Sequence, residues 1–210
     1  MKVRFALVCE GPSDAGLAAH LQTVCVDCGA EEAVGTVPDF ARLPRPPAHD
    51  VASRITAALA LDPAANLIFV HRDADSRSER ARVREIEAAA ENVDVPVVPV
   101  VPIQETEAWL LLDEAAIRAI VENPRGTLAL PLPRVAALER LARPKERLRT
   151  VLEHASELRG RKLEKFRRDF GRHRGLLLQR LDPSGPVTRL TAWQKLLERT
   201  TNAVALMSDE

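Results

Sequence analysis

The chain contains no tyrosine, and aromatic residues of any kind make up only 3% of its 210 positions. The first absence removes every mechanism that needs a tyrosine nucleophile. The second argues against a stacking platform for unpaired bases. No apolar stretch reaches the length of a membrane span, so no transmembrane helix is expected. The N-terminus lacks the charged, apolar and small-residue regions of a signal peptide, and a cytoplasmic location is the expectation. Cysteine is scarce and odd in number: Cys9, Cys25 and Cys28 argue against a disulfide framework. The Cys25-Val26-Asp27-Cys28 segment has no second pair or suitably spaced histidines to complete a zinc site. It also falls near the end of an expected helix, not at the start, where the dipole would lower a thiol pKa. These thiols therefore read as buried and structural. His71, His154 and His173 are isolated, without ligand spacing, and read as packing or surface residues.

Hydrophobic residues make up 46% of the chain and charged residues 29%, as in a packed protein of one sizeable domain, or a core domain with an appendage. A net charge of zero conceals an uneven distribution. Residues 1–139 carry 13 Lys and Arg against 21 Asp and Glu, whereas residues 140–180 carry 14 against 5. Such a division suits metal held in one region and phosphate in another; it is equally the mark of a solvated basic helix face.

Three short apolar runs end at acidic residues. Val3–Cys9 runs into Glu10-Gly11, Asn66–His71 into Arg72-Asp73-Ala74-Asp75, and Val95–Ile103 leads to Glu105-Thr106-Glu107. Runs of this kind, bounded by turn signals, read as buried parallel strands. Prolines 96, 99 and 102 place the last one at an edge or interrupt it. Val34–Val37 is a possible short strand. Helices are expected from Ser13 or Asp14 to Cys28, over Val51–Leu61 behind an Asp50 cap, and over Ser76–Asn92. The order gives a parallel sheet with right-handed crossovers. After Glu107 only helical patterns remain: Ala108–Leu112, Asp113–Val121, Val135–Ala142, Lys145–Leu158, a basic stretch Arg159–Arg180, and Leu190–Leu206. The expected division is an α/β core over residues 1–112 and a helical extension over 113–210.

Ligands in open α/β sheets bind outside the carboxyl ends of the strands, so these acids could share one pocket suited to a hard divalent cation. Asp73-Ala74-Asp75 is the sharpest signal, because two carboxylates on one tight loop repel unless a cation binds; a plain turn is the alternative. Glu10 precedes a sharp glycine turn, and Asp14 could equally be a first-turn helix acid. If a helix begins near Glu105, only one of Glu105 and Glu107 reaches the site. Trp109 reads as a core or junction residue.

The Glu10-Gly11-Pro12-Ser13-Asp14 opening, the Asp73-Ala74-Asp75-Ser76 loop and Glu107-Ala108-Trp109-Leu110-Leu111 together resemble the Toprim domain of topoisomerases, bacterial primases and overcoming-lysogenization-defect nucleases. Within that fold they are most similar to a bacterial group known as domain of unknown function 4276, to which Pro144-Lys145 and the helical tail also bear a likeness. The resemblance implies a Toprim-like parallel sheet and an Mg²⁺ (or Mn²⁺) site acting on phosphodiesters. Glu10, Asp73 and Asp75 would form the site, with Asp14 and Glu107 completing it. The implied catalytic set is Glu10, Asp73, Asp75 and Glu107, with Glu10 as general acid/base or metal ligand. Lys145 could steady a phosphate. The resembled group also implies a partner ATPase and a role in phage defence or DNA repair. The missing tyrosine excludes self-contained topoisomerase activity, whereas hydrolysis by activated water needs no such residue.

The segment Arg159–Arg174 is the best nucleic-acid candidate, with Arg161, Lys162, Lys165, Arg168 and Arg172 as its contacts to phosphate. Phe166 and Phe170, four apart on one helical face, read as packing that helix onto the core. Two other classes compete with a nuclease. One is a non-catalytic scaffold binding DNA or a partner ATPase. The other is a D-x-D phosphatase, which would carry its D-x-D on the first strand, where this chain has Glu-Gly.

Overall fold

The structure is a computed structural model that describes residues 1–74 and 78–208. Asp75 and Ser76 lie outside the described residues. Strands β1 (Lys2–Val8), β2 (Glu32–Thr36), β3 (Leu67–His71) and β4 (Val97–Val100) form one parallel sheet in the order β2-β1-β3-β4. Helix α1 (Leu17–Asp27) connects β1 to β2, α2 (Val51–Leu61) leads to β3, and α3 (Glu79–Ala90) leads to β4. Chain direction across the sheet reverses at β1. Right-handed crossovers therefore put α1 on one face and α2 and α3 on the other.

Both faces are buried, which is why the strands are almost continuously apolar. Phe5, Leu7, Leu67, Phe69, Val98 and Val100 face the α1 side; Ala6, Val8, Ile68 and Val70 pack with Val51, Ile55, Val83 and Ile86 on the other. Phe5 meets Phe69 edge-on, with ring centroids 5.0 Å apart. The Phe5 ring also covers the neighbouring strand: a Cβ built on Gly35 would stand 2.2 Å from its Cζ. Gly35→Ala is accordingly expected to cost about 1–3 kcal/mol by overpacking. A urea melt with a lowered midpoint and unchanged slope would show it; an unchanged midpoint would mean that the ring swings aside freely.

The helical half supplies the second element on the α1 face. Following α4 (Glu107–Leu110) and α5 (Glu114–Ile120) come α6 (Val135–Leu138), α7 (Pro144–Ser156), α8 (Gly160–Arg168), α9 (Phe170–Gln179) and α10 (Thr191–Ser208). Helix α10 lies along β4 and against α1. Its Trp193 is fully buried and meets Trp109 edge-on at 5.0 Å. Lys195 of α10 also reaches Glu79, at the start of α3, at 2.6 Å. One hydrophobic cluster runs from β1 and β3 through Trp109 to α7, α9 and α10.

Several expectations hold. The proline-bearing strand is at the sheet edge, with Pro99 opposite Val70. Its ladder to β3 survives because Ile68 N–H and Arg72 N–H donate to the carbonyls of Pro96 and Val100. Asp50 caps α2, accepting from Ser53 N–H at 2.8 Å; Ser78, which the sequence pattern did not single out, caps α3. Two expectations are corrected. The helix expected to start at Ser13 or Asp14 starts at Leu17, after a 3-10 turn over Pro12–Asp14. Asp14 is buried and turned inward, so it is not a cap. The basic stretch is not one helix: it breaks at Asp169. Phe166 and Phe170 thus sit on different helices. Phe166 stacks on His173 with centroids 4.3 Å apart, and Phe170 lies beneath the Arg149 guanidinium. Both still pack against the core.

Candidate active site

With the order β2-β1-β3-β4, the topological switch point lies between β1 and β3, where loops leave in opposite directions and open a crevice. Glu10 and Asp73 follow these two strands. Val8 is in register with Val70, so both loops start at the same level of the sheet. Arg54 of α2 donates to the carbonyls of Cys9 (2.8 Å) and Glu10 (3.1 Å), fixing the first loop. The Glu10 carboxylate is half exposed and lies 3.5 Å from Arg72 Nε of the second loop. A cleft of about 380 Å³, lined by Glu10, Pro12, Val37, Phe40 and Arg54, opens beside it.

Asp73 is held from the loop after β4. Its Oδ1 accepts from the Thr106 backbone N–H at 3.1 Å and the Thr106 hydroxyl at 3.3 Å. The Thr106 proton is therefore directed at Asp73, and His71 Nε2, 2.9 Å from the Thr106 oxygen, is the donor of that pair. This assigns the Nε2–H tautomer from the hydrogen-bond network. His71 Nδ1 is buried without a partner among the described residues. Burial holds the His71 imidazole below its ordinary pKa and Arg174 lowers it further, against the raising influence of Asp14, Glu10 and Glu107.

The loop after β4 turns through Gln104, whose φ of 73° is left-handed. Beyond it the two glutamates part. Glu105 Oε2 accepts from the Lys145 backbone N–H at 2.9 Å, in the first turn of α7. The Lys145 side chain is exposed. Glu107 turns inward and is buried with Asp14 around Arg174 of α9. Arg174 Nε donates to Glu107 Oε1 at 2.9 Å, Nη2 to Asp14 Oδ1 at 2.5 Å, and Nη1 to the Ser13 carbonyl at 2.6 Å. Asp14 Oδ2 accepts from the Ser13 hydroxyl at 3.0 Å. Burial opposes ionisation of Asp14, yet the charges of His71 and Arg174 and the hydrogen bonds from Arg174 and Ser13 outweigh it, and its carboxyl lies below the ordinary value. Since burial keeps His71 neutral, we attribute the ionisation of Asp14 at neutral pH to Arg174.

Of the acids singled out in the sequence, Glu10 and Asp73 border the crevice, while Asp14 and Glu107 converge on an arginine beside it. Asp75 lies outside the described residues. Among the described residues, no group of three His, Cys, Asp or Glu side chains is arranged to hold a metal ion. Three participants escaped the sequence reading: His71, Thr106 and Arg174. Arg174 had a legible signal, because it falls on the apolar stripe Phe170–Leu177–Leu178, where a charge demands a buried partner.

The basic candidates Arg161, Lys162, Lys165, Arg168 and Arg172 are all exposed. Lys162, Lys165 and Arg172 line a groove of about 610 Å³, together with Phe166, His173 and the ends of α5 and α7. Arg172 lies on that groove and Arg174 on the acid cluster, so α9 joins the two regions. Burial pushes the Cys9 and Cys25 thiols up to about 12 and raises Cys28 as well; Cys25 is buried, as expected, whereas Cys9 and Cys28 are partly exposed.

His71 gives the fold a pH dependence of definite sign. Its folded pKa is below the ordinary value near 6.5, so below that pH the unfolded chain binds a proton that the folded chain does not. Stability is expected to fall with decreasing pH below about 6.5, by up to about 1.4 kcal/mol per pH unit from this one group. His173 is lowered too, chiefly by burial, so His71→Asn should remove only part of the slope. Urea melts between pH 5 and pH 8 would test this, and an identical slope in the variant would refute it.

No helix among the described residues is long and apolar enough to cross a membrane. Comparison of the chain with protein-family models, with curated proteins and with solved structures finds no match in any of the three.

Proposed function

We propose that this protein is a metal-dependent hydrolase of nucleic-acid phosphodiesters, working at the crevice between β1 and β3. The observation that carries the reading is the placement of Glu10 and Asp73 on the two loops that leave the topological switch point, the position at which open α/β sheets bind ligands. The donor chemistry suits Mg²⁺ or Mn²⁺, since both residues offer carboxylate oxygens. Glu10 and Asp73 would hold the ion, with Asp75 of the same D-x-D as a further ligand. A cation bound there supplies Lewis acidity toward a phosphoryl oxygen and a water of lowered pKa. Asp73 is oriented by two hydrogen bonds from Thr106. Glu10, half exposed at the mouth, would serve as a ligand of that ion or as general acid/base. The exposed cations of α8 and α9 would hold the phosphate backbone without reading its sequence. A partner ATPase and a role in phage defence or DNA repair belong to the same proposal, through the resemblance to Toprim-like proteins.

The pairing of Asp14 and Glu107 with Arg174, which occupies them as ion-pair partners, favours one competing reading, a non-catalytic scaffold that binds DNA or a partner. Incubation of the protein with mixed single- and double-stranded DNA and RNA and Mg²⁺ or Mn²⁺ separates the two. Metal-dependent cleavage, lost in Asp73→Ala/Asp75→Ala, is the expected result. Salt-dependent binding without cleavage and without metal uptake would establish the scaffold.

A further inference from the structure

We infer that Arg174 is a built-in cation of the site, standing where a second metal ion would otherwise be needed, so that the protein takes a single divalent ion. This rests on the metal-dependent reading above. Asp14 and Glu107 have the chemistry of metal ligands, but their geometry here is that of an arginine receptor. The guanidinium presents its three nitrogens to three acceptors: Glu107 Oε1, Asp14 Oδ1 and the Ser13 carbonyl. The second oxygen of Asp14 is taken by the Ser13 hydroxyl. Arg174 and both acids are buried, their side chains 7%, 7% and 5% exposed. A divalent ion could take Asp14 Oδ1 or Glu107 Oε1 only by displacing the guanidinium from the hydrogen bonds it makes there. Guanidinium does not lose its proton at any physiological pH, so the arrangement is permanent.

The consequence concerns charge and position. A guanidinium between Asp14 and Glu107 cancels one of the two buried negative charges and leaves the other, without depending on metal supply. It also ties the loop after β1 and the start of α4 to α9, whose Arg172 lines the basic groove. Arg174 is thus a positioning residue that joins the substrate-binding region to the metal-binding one, and Asp14 and Glu107 hold it; they do not hold metal.

Titration with Mn²⁺, read by electron paramagnetic resonance of the free ion and by calorimetry, tests the assignment without any activity measurement. The wild-type chain is expected to bind one Mn²⁺. Glu107→Gln, which keeps an acceptor for Arg174 Nε, should bind it with affinity within about twofold of wild type, and Asp73→Asn should weaken it at least about tenfold. Arg174→Met, which strips the two acids of their counter-cation, should gain a second and weaker Mn²⁺, a change that loss of a merely structural contact does not produce. Two ions per wild-type chain, or a loss of affinity in Glu107→Gln as large as in Asp73→Asn, would overturn the inference while leaving the metal-dependent reading standing. Absence of Mn²⁺ uptake by folded wild-type protein would overturn that reading and this inference with it.

Discussion

Arg174→Met is expected to lower the free energy of unfolding by about 3–5 kcal/mol, because removing one member of a buried ion network strands the others. Asp14 and Glu107 would be left buried without the guanidinium that donates to both. The backbone carbonyl of Ser13 would lose its donor as well. The variant should also reverse part of the acid sensitivity of the fold. In the wild type the Asp14 carboxyl is depressed below its ordinary value of 3.8, so the pair contributes its stability above that pH and loses it as pH falls through the lower, folded value. Without Arg174, burial dominates and the carboxyl rises, so the variant is relatively less penalised by acid. Urea melts at pH 7 and pH 3 would show a large gap between the two proteins at pH 7 and a narrower one at pH 3. A gap of less than about 1 kcal/mol at pH 7 would mean that water replaces the guanidinium, and that the network is far more hydrated than its burial indicates.

Asp73→Asn is the substitution expected to cost most in activity, at least about 10²-fold in Mg²⁺-dependent cleavage, by analogy with the loss of a single preorganised charge-stabilising group. The change is nearly isosteric. It keeps one carbonyl-type oxygen for the Thr106 N–H and hydroxyl, so the loop after β4 should stay docked and the melt should move little. A loss of cleavage with preserved stability would therefore report on the charge alone. Glu10→Gln removes the half-exposed carboxylate proposed as proton acceptor, and is expected to lower metal-dependent cleavage by about 10²-fold or more while leaving the melt unchanged. Full activity in Asp73→Asn would remove the crevice from consideration and direct attention to the groove between α8 and α9.

What the sequence by itself determined is the local part of the architecture. Apolar runs of strand length ending in acids, the Asp50 cap, and the prolines around residue 99 each act through their own backbone and nearest neighbours. They therefore located β1, β3, the edge position of β4 and the helices between them. The parallel order followed, because alternating strands and helices admit few right-handed windings. Helix starts and breaks that depend on distant partners were not legible in this way. Asp14 faces inward because an arginine 160 positions away receives it, and Phe166 and Phe170, on either side of the break at Asp169, find different partners. The same reason decides the site. Four acids of equal appearance in the sequence divide into Glu10 and Asp73 at the crevice and Asp14 and Glu107 around Arg174. That division depends on which cation the folded chain brings within hydrogen-bond distance, and only long-range packing of α9 against the first loop and α4 decides it.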